Sequence, residues 1–307
     1  MLYDTLIIGA GPAGLTASIY ASRYKRSNLV IGKMVGGTIT WAGKVDNFPS
    51  QPGISGLELG QKMAAQVKSL GVEILAENVS GVKKEAEGEF RVTTDSGNEF
   101  QAKSLIVTTG TERKKLNIPG EYEYLGKGVS YCTTCDAPFF KDKTVVLVGG
   151  SNAACSGAIH LSHFAKKVYL VYRKFELRAE PVWVEEIKGN PKIEVIYDTN
   201  LVKIVGESGR VKEVEFDKPY NNKTILETDG VFVEIGGVPS AGFLKPLGVD
   251  FDENGYIRVN EKMETNIEGV FAAGDVTTKS LILPQAIIAC AAGATAANST
   301  FEFLKSK

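Results

Sequence analysis

Two kinds of short motif in this chain hold residue types that do chemistry. The first is Tyr131-Cys132-Thr133-Thr134-Cys135-Asp136, a pair of cysteines two residues apart with an acid directly after the second sulfur. Such a pair either cycles between dithiol and disulfide or supplies half of a metal site. If the motif opens a helical turn, the positive end of the helix lowers a thiol pKa from about 8.5 into the range of roughly 3.5–7.5, and the thiolate then attacks disulfides. A zinc site would recruit His160 and His163, but the Cys-x2-Cys-x24-His-x2-His spacing is not finger-like. Both histidines also fall on a helix that follows a glycine turn. The redox reading is preferred, and no metal is expected. Cys155 and Cys290 stand alone and read as small buried hydrophobes.

The second kind is the glycine turn. Gly9-Ala10-Gly11-Pro12-Ala13-Gly14 follows an apolar run and precedes a helical pattern, the setting in which such a turn seats a pyrophosphate on a helix N-terminus. The acid that would hold an NAD ribose some 20 residues later is missing, because the second strand ends Val30-Ile31-Gly32-Lys33. Ordinary NAD binding is therefore disfavoured there. A second turn, Gly149-Gly150-Ser151-Asn152, has serine at the middle glycine position. Arg173-Lys174 lies 24 residues beyond Gly149, with Arg178 following. Basic side chains at that place match a 2'-phosphate, and two charge-assisted contacts would favour NADP over NAD by about 3–6 kcal/mol. The plain alternative is a solvated basic strand end.

Each turn needs a strand before it and a helix after it, and the chain supplies that scaffold twice, about 140 residues apart. Residues 2–8 (LYDTLII) and 144–150 (TVVLVGG) are the strands. Residues 15–26 and 153–167 continue as helices, and KVYLVYRK makes a further strand. Residues 90–110 read as a hairpin returning to an apolar strand that ends in Thr109-Gly110, and residues 193–237 repeat that reading. A buried strand ends at Gly274-Asp275. The turn-rich segments Gly110–Pro119 and Gly236–Gly242 read as hinges. The expected fold is α/β: two Rossmann-like, three-layer ββα nucleotide-binding domains, the second inserted in the first. Residues 1–112 and 241–307 form one domain and 113–240 the other.

Composition agrees with this class. The chain has 307 residues, 33 of them glycine, with 43% hydrophobic and 23% charged residues and a formal charge of -1. That is globular and balanced, so nucleic acid is not an expected partner. The N-terminus has no signal-peptide pattern, and a cytoplasmic location is expected. Ser280–Phe301 lacks charge over a membrane-spanning length, but its proline, glutamine and alanine content reads as a helix buried against protein or cofactor.

The ordered motifs Gly9–Gly14, Val45-Asp46-Asn47-Phe48-Pro49, Thr109-Gly110, Gly128 to Asp136 and Gly269 to Val276 cover essentially the whole chain. Together they resemble the low-molecular-weight, FAD-dependent thioredoxin reductases. The resemblance implies FAD on the discontinuous domain, near Gly9, Gly11, Pro12, Ala13, Gly14, Gly32, Lys33, Gly36, Gly37, Thr38, Asn47, Thr109, Gly110, Gly274, Asp275, Val276, Gln285 and Ala286. It implies NADPH at Gly149, Gly150, Ser151, Asn152, Arg173, Lys174 and Arg178. Cys135 is then the flavin-proximal sulfur, Cys132 the sulfur that attacks the partner disulfide, and Asp136 the acid or base that handles their protons. The implied partner is thioredoxin or a thioredoxin-like protein, and the implied assembly a homodimer. Because one inserted domain carries both the cysteines and the second turn, the two would take turns at a single flavin.

Departures from the family pattern gather on the electron-input side. Ser151 replaces a glycine, Tyr172 and Lys174 replace two residues of a His-Arg-Arg, Ser156 and Gly157 replace two glutamates, and Pro284 replaces an arginine. Ala137 and Thr38 also depart from it. A disulfide reductase fed by a protein such as ferredoxin is accordingly an alternative, as are a flavin-dependent dithiol oxidase and a zinc-stabilised regulator without turnover. Arg113-Lys114-Lys115 and Phe139-Phe140 are candidate docking segments, with a solvated hinge and core-facing aromatics as their plainer readings.

Overall fold

Alternation along the central strands explains the layering of this fold. The computed structural model describes residues 1–85 and 88–307 and divides them into two compact units, Met1–Glu112 with Val238–Lys307, and Arg113–Gly237. In the first unit a parallel sheet runs in the order Val270–Ala272, Leu105–Val107, Thr5–Ile8, Asn28–Ile31, Ile74–Leu75. Leu6, Ile8, Leu105 and Val107 face a second, four-stranded sheet and pack on its Val82, Phe90 and Val92. Ile7, Val30 and Ile106 point the other way, onto helices contributing Ala13, Ala17, Ala64 and Ala296. Period-two alternation thus sends one strand's side chains into two cores.

The second unit repeats the device. Its parallel sheet runs Val129–Ser130, Gly230–Glu234, Thr144–Gly149, Lys167–Val171, Ile193–Ile196. Val145, Leu147 and Phe232 pack on the helical side with Ala154, Ala158 and Leu161. Val146, Val148 and Val231 pack on the antiparallel meander Leu201–Glu207, Arg210–Tyr220, Lys223–Glu227 through Ile204, Val214 and Phe216. Phe232 is fully buried, edge-on to Phe140 at 5.1 Å between ring centroids. Phe232→Ala is expected to cost about 3–5 kcal/mol of stability, read as a lowered urea midpoint.

Local order departs from the sequence reading in three places. The 2–8 run splits: Leu2–Tyr3 pairs with Gln101 and Ala102 in the four-stranded sheet, while Thr5–Ile8 enters the parallel one. Asp4 makes the break, its carboxylate accepting from the Ser27 N–H at 3.0 Å and pairing with Lys103. The second crossing between units falls at Gly237/Val238, three residues ahead of the expected 241, because Ser240 already bonds the first unit through Gly110 O and Glu112. A short 3-10 turn, Thr278–Leu281, precedes the last helix, Ala286–Lys305.

That last helix is, among the described residues, long and apolar enough to cross a membrane by length and composition alone. One face packs on the helix Pro12–Arg23 so closely that a Cβ on Gly293 would stand 2.1 Å from the Ala13 carbonyl oxygen. Ala289, Ala292, Ala296 and Ala297 fill the same contact.

Candidate active site

In the first unit the expected cofactor residues converge at the carboxyl ends of the parallel strands, where doubly wound sheets bind nucleotides. Gly9 follows Thr5–Ile8 with φ +119, and a Cβ there would lie 2.2 Å from Thr108 O. Only glycine fits this bend. Gly11 is the N-cap of Pro12–Arg23, Pro12 opens that helix, and no side chain caps it or places an acid in its first turn. Its free amide end suits a phosphate. Gly32 and Lys33 follow Asn28–Ile31, and Gly36 N–H donates to Ala10 O at 2.8 Å, which draws the Gly36-Gly37-Thr38 loop onto the turn. Thr109-Gly110 and Gly274-Asp275-Val276 follow the two neighbouring strands. Gln285 caps the last helix, whose first residue is Ala286, and Asn47 donates to its Oε1 at 3.0 Å.

Two oxygens there are buried without a hydrogen-bond partner, Asp275 Oδ1 and Thr109 Oγ1. Burial pushes the Asp275 carboxyl upward. Buried polar atoms without a protein partner, beside a helix N-terminus that no side chain caps, are what a dinucleotide's hydroxyls and phosphates satisfy, so these residues fit a bound FAD.

The second unit holds the sulfurs. Cys132 and Cys135 are joined by a disulfide with Cα atoms 5.3 Å apart. Cys132 is the N-cap of a single helical turn, Thr133–Asp136, and its sulfur accepts from the Cys135 N–H at 3.1 Å. Cys135 is exposed and Cys132 half-buried. The Ser130 hydroxyl accepts from the Cys132 N–H at 3.0 Å and donates to its carbonyl at 3.3 Å, which fixes that cysteine's backbone. Both sulfurs are committed to each other, and no group of three or more potential ligands is placed to hold a metal among the described residues. Burial drives the Cys155 thiol up to about 11 and also raises Cys290, so neither is an activated thiol. Cys155 is fully buried, as its sequence reading expects. Cys290 is only partly so, lying over the Pro12 carbonyl.

The second glycine turn lies in the same unit. Gly149 follows its strand, Ser151 is in extended backbone, and Asn152 opens the helix Asn152–Ser162. Arg173, Lys174 and Arg178 are all exposed. The turn is crowded by its own chain. A Cβ on Gly150 would stand 2.5 Å from the Tyr172 ring, Arg178 N–H donates to Gly150 O at 2.7 Å, and Asn152 exchanges two hydrogen bonds with Glu180. The three cations are thus open to solvent, while a ring and a carboxylate stand against the turn itself.

Sequence reading missed the acid behind this turn. Glu234 ends its strand beside Gly149 and pairs with Arg113, the first residue of the unit. Burial pushes its carboxyl up to about 7 against the pull of Arg113. Between about 4.5, the ordinary value, and about 7, the folded chain holds a proton that the unfolded chain has lost. This contribution to stability is therefore full below about pH 4.5 and lost as pH rises toward 7. Unfolding at pH 5 and pH 7.5 should show a loss of about 1–3 kcal/mol, and Glu234→Gln should flatten that slope. An acid at the end of an otherwise apolar run, VFVEIGG, is the signal that would have found it.

The docking candidates resolve individually. Phe140 is in the core, but Phe139 is 73% exposed and borders, with Asp136, Lys127, Lys143 and Arg210, a cavity of about 570 Å³. The basic segment is no plain solvated hinge, since Arg113 pairs with Glu234 and Lys115 Nζ lies 3.7 Å from the Tyr131 ring centroid.

The profile of pyridine nucleotide-disulphide oxidoreductases matches residues 3–295. The chain is 38% identical over 307 aligned positions to the thioredoxin reductase of Bacillus subtilis, covering 99% of this chain and 95% of that protein. The crystal structure of Lactococcus lactis thioredoxin reductase matches with a TM-score of 0.94 at 34% identity, over 99% of this chain and 100% of that one. A ferredoxin-flavin thioredoxin reductase from Clostridium acetobutylicum, also 34% identical and covering 100% of this chain and 99% of that one, matches with a TM-score of 0.54.

Proposed function

This chain belongs to the pyridine nucleotide-disulphide oxidoreductase family, among the thioredoxin reductases, and on that premise we propose that it passes electrons from NADPH through FAD to Cys132/Cys135 and on to thioredoxin or a thioredoxin-like protein. The observation that carries this reading is the Cys132–Cys135 disulfide beside Asp136, in the same unit as a second nucleotide turn. Bound FAD would supply two-electron transfer between nicotinamide and disulfide. Gly9, Gly11, Asp275 and Thr109 would hold it in the first unit, and Gly149, Asn152 and the cations Arg173, Lys174 and Arg178 would hold NADPH in the second. The protein's own part in the chemistry lies at the sulfurs. Once the bond is opened, Cys132 attacks the partner disulfide, Cys135 resolves the mixed disulfide, and Asp136 exchanges protons with the thiols. A cytoplasmic homodimer belongs to this reading.

Anaerobic mixing of the FAD-loaded protein with NADPH tests it: loss of the oxidised-flavin absorbance within the turnover time supports the assignment, and an unbleached spectrum sinks NADPH as donor. One observation favours a second reading, in which a reduced protein such as ferredoxin is the donor. Tyr172 and Glu180 stand against the second turn, where Ser151 already replaces a glycine. Under that reading reduced ferredoxin bleaches the flavin and NADPH does not.

A further inference from the structure

A single buried carboxylate lies behind the cysteine pair. Glu121 is 1% exposed and collects three donors: the Leu116 N–H at 2.8 Å and the Tyr131 hydroxyl on Oε1, and the Asn117 N–H at 2.6 Å on Oε2. Tyr131 directly precedes Cys132. Lys115 Nζ lies over its ring, 3.7 Å from the centroid, and burial together with Glu121 raises its phenol well above the ordinary value, so it stays a donor. Asn117 adopts φ +57, a left-handed backbone that its bond to Glu121 offsets. Only a carboxylate completes this arrangement. Glutamine would turn its N–H2 toward either the Leu116 or the Asn117 amide, each of which can only donate, leaving a buried clash of donors.

We propose that Glu121 is a positioning residue for the disulfide step. Through Tyr131 it fixes where Cys132 stands relative to Cys135, and through the Leu116 and Asn117 amides it anchors that placement to the segment entering this unit. Ser130 holds the Cys132 backbone as well, so the cysteine is braced through both of the residues that precede it before its bond forms or breaks. Two thiols held in closing geometry form a disulfide with a higher effective concentration than two loosely held ones. Removing the brace therefore favours the dithiol. This rests on the reading that Cys132/Cys135 cycles, but its deciding measurement, the dithiol–disulfide constant, needs neither electron donor nor partner protein, so a wrong donor or partner would not disturb it.

The experiment equilibrates the holoprotein, as wild type, Glu121→Gln and Tyr131→Phe, in glutathione buffers and counts free thiols by alkylation and mass. Tyr131→Phe keeps the ring and deletes only the hydroxyl, which provides a folded variant if Glu121→Gln is unstable. The expected result is a shift of the dithiol–disulfide constant toward dithiol by about tenfold in each, equivalent to about 30 mV for two electrons. A second readout is stopped-flow flavin reduction, expected to be unchanged because the brace touches no residue of either glycine turn. Constants within twofold of wild type in the folded variants, whatever their melting temperatures, would overturn the proposal and leave Glu121 a purely structural group.

Discussion

Cys132→Ser is expected to lower turnover with a thioredoxin-like substrate by at least about a thousandfold while leaving flavin reduction by the electron donor intact. The loss is large because the thiolate is the nucleophile, and a serine hydroxyl in its place is neither ionised near neutral pH nor able to form the mixed disulfide. Removing a nucleophile leaves only binding and electrostatics, as in other covalent catalysts. The flavin half-reaction is spared because every residue expected to hold FAD lies in the other compact unit, and the substitution alters no residue of either glycine turn. Cys135→Ser should be equally inactive in turnover but should trap the partner as a stable mixed disulfide on Cys132. A partner attached instead to Cys135 in the Cys132→Ser protein would reverse the assigned order of the two sulfurs. Mass spectrometry of the trapped adduct reads this directly.

Arg173→Ala with Lys174→Ala is expected to raise the NADPH KM by about a hundredfold or more and to erase most of the preference over NADH, with kcat for partner reduction at saturating donor little changed. Two charge-assisted contacts at roughly 1.5–3 kcal/mol each correspond to about 10²–10⁴ in affinity. Both side chains are exposed at the end of the strand Lys167–Val171, so replacing them disturbs no core and the change in KM reports on the cofactor contact. Steady-state kinetics with both nicotinamides measures it. An unchanged KM would make the cluster a solvated strand end and move the weight to a protein donor, in agreement with the crowding of Gly150 by Tyr172 and of the helix end by Glu180.

Chemistry was more legible in this sequence than geometry. The Cys-x-x-Cys pair and the strand, turn, helix order around Gly9 and Gly149 are local patterns, readable because backbone constraints act on neighbouring residues. The same holds for the central strands, whose continuous apolar runs signal burial on both faces. Residues 2–8 show where local reading stops: a mostly apolar run with one acid in it gave no sign that Asp4 would bond Ser27 and send the two halves into different sheets. Phe139 and Phe140 are identical in type and adjacent, yet one is in the core against Phe232 and the other open to solvent.

What the sequence by itself determined, then, is the inventory and its order: two nucleotide turns, one redox cysteine pair and an α/β chain that leaves its first domain and returns. Only the tertiary structure decided which groups act on that inventory. Glu234 meets Arg113 across 121 positions, Tyr172 lies over Gly150 from 22 positions away, and Glu121 reaches Tyr131 and the Leu116 and Asn117 amides together. The reason is physical. Periodicity and turn chemistry record what a residue needs from its neighbours along the chain, whereas a buried acid or ring is placed by the one set of partners that folding brings around it, and that set is defined only once both cores have packed.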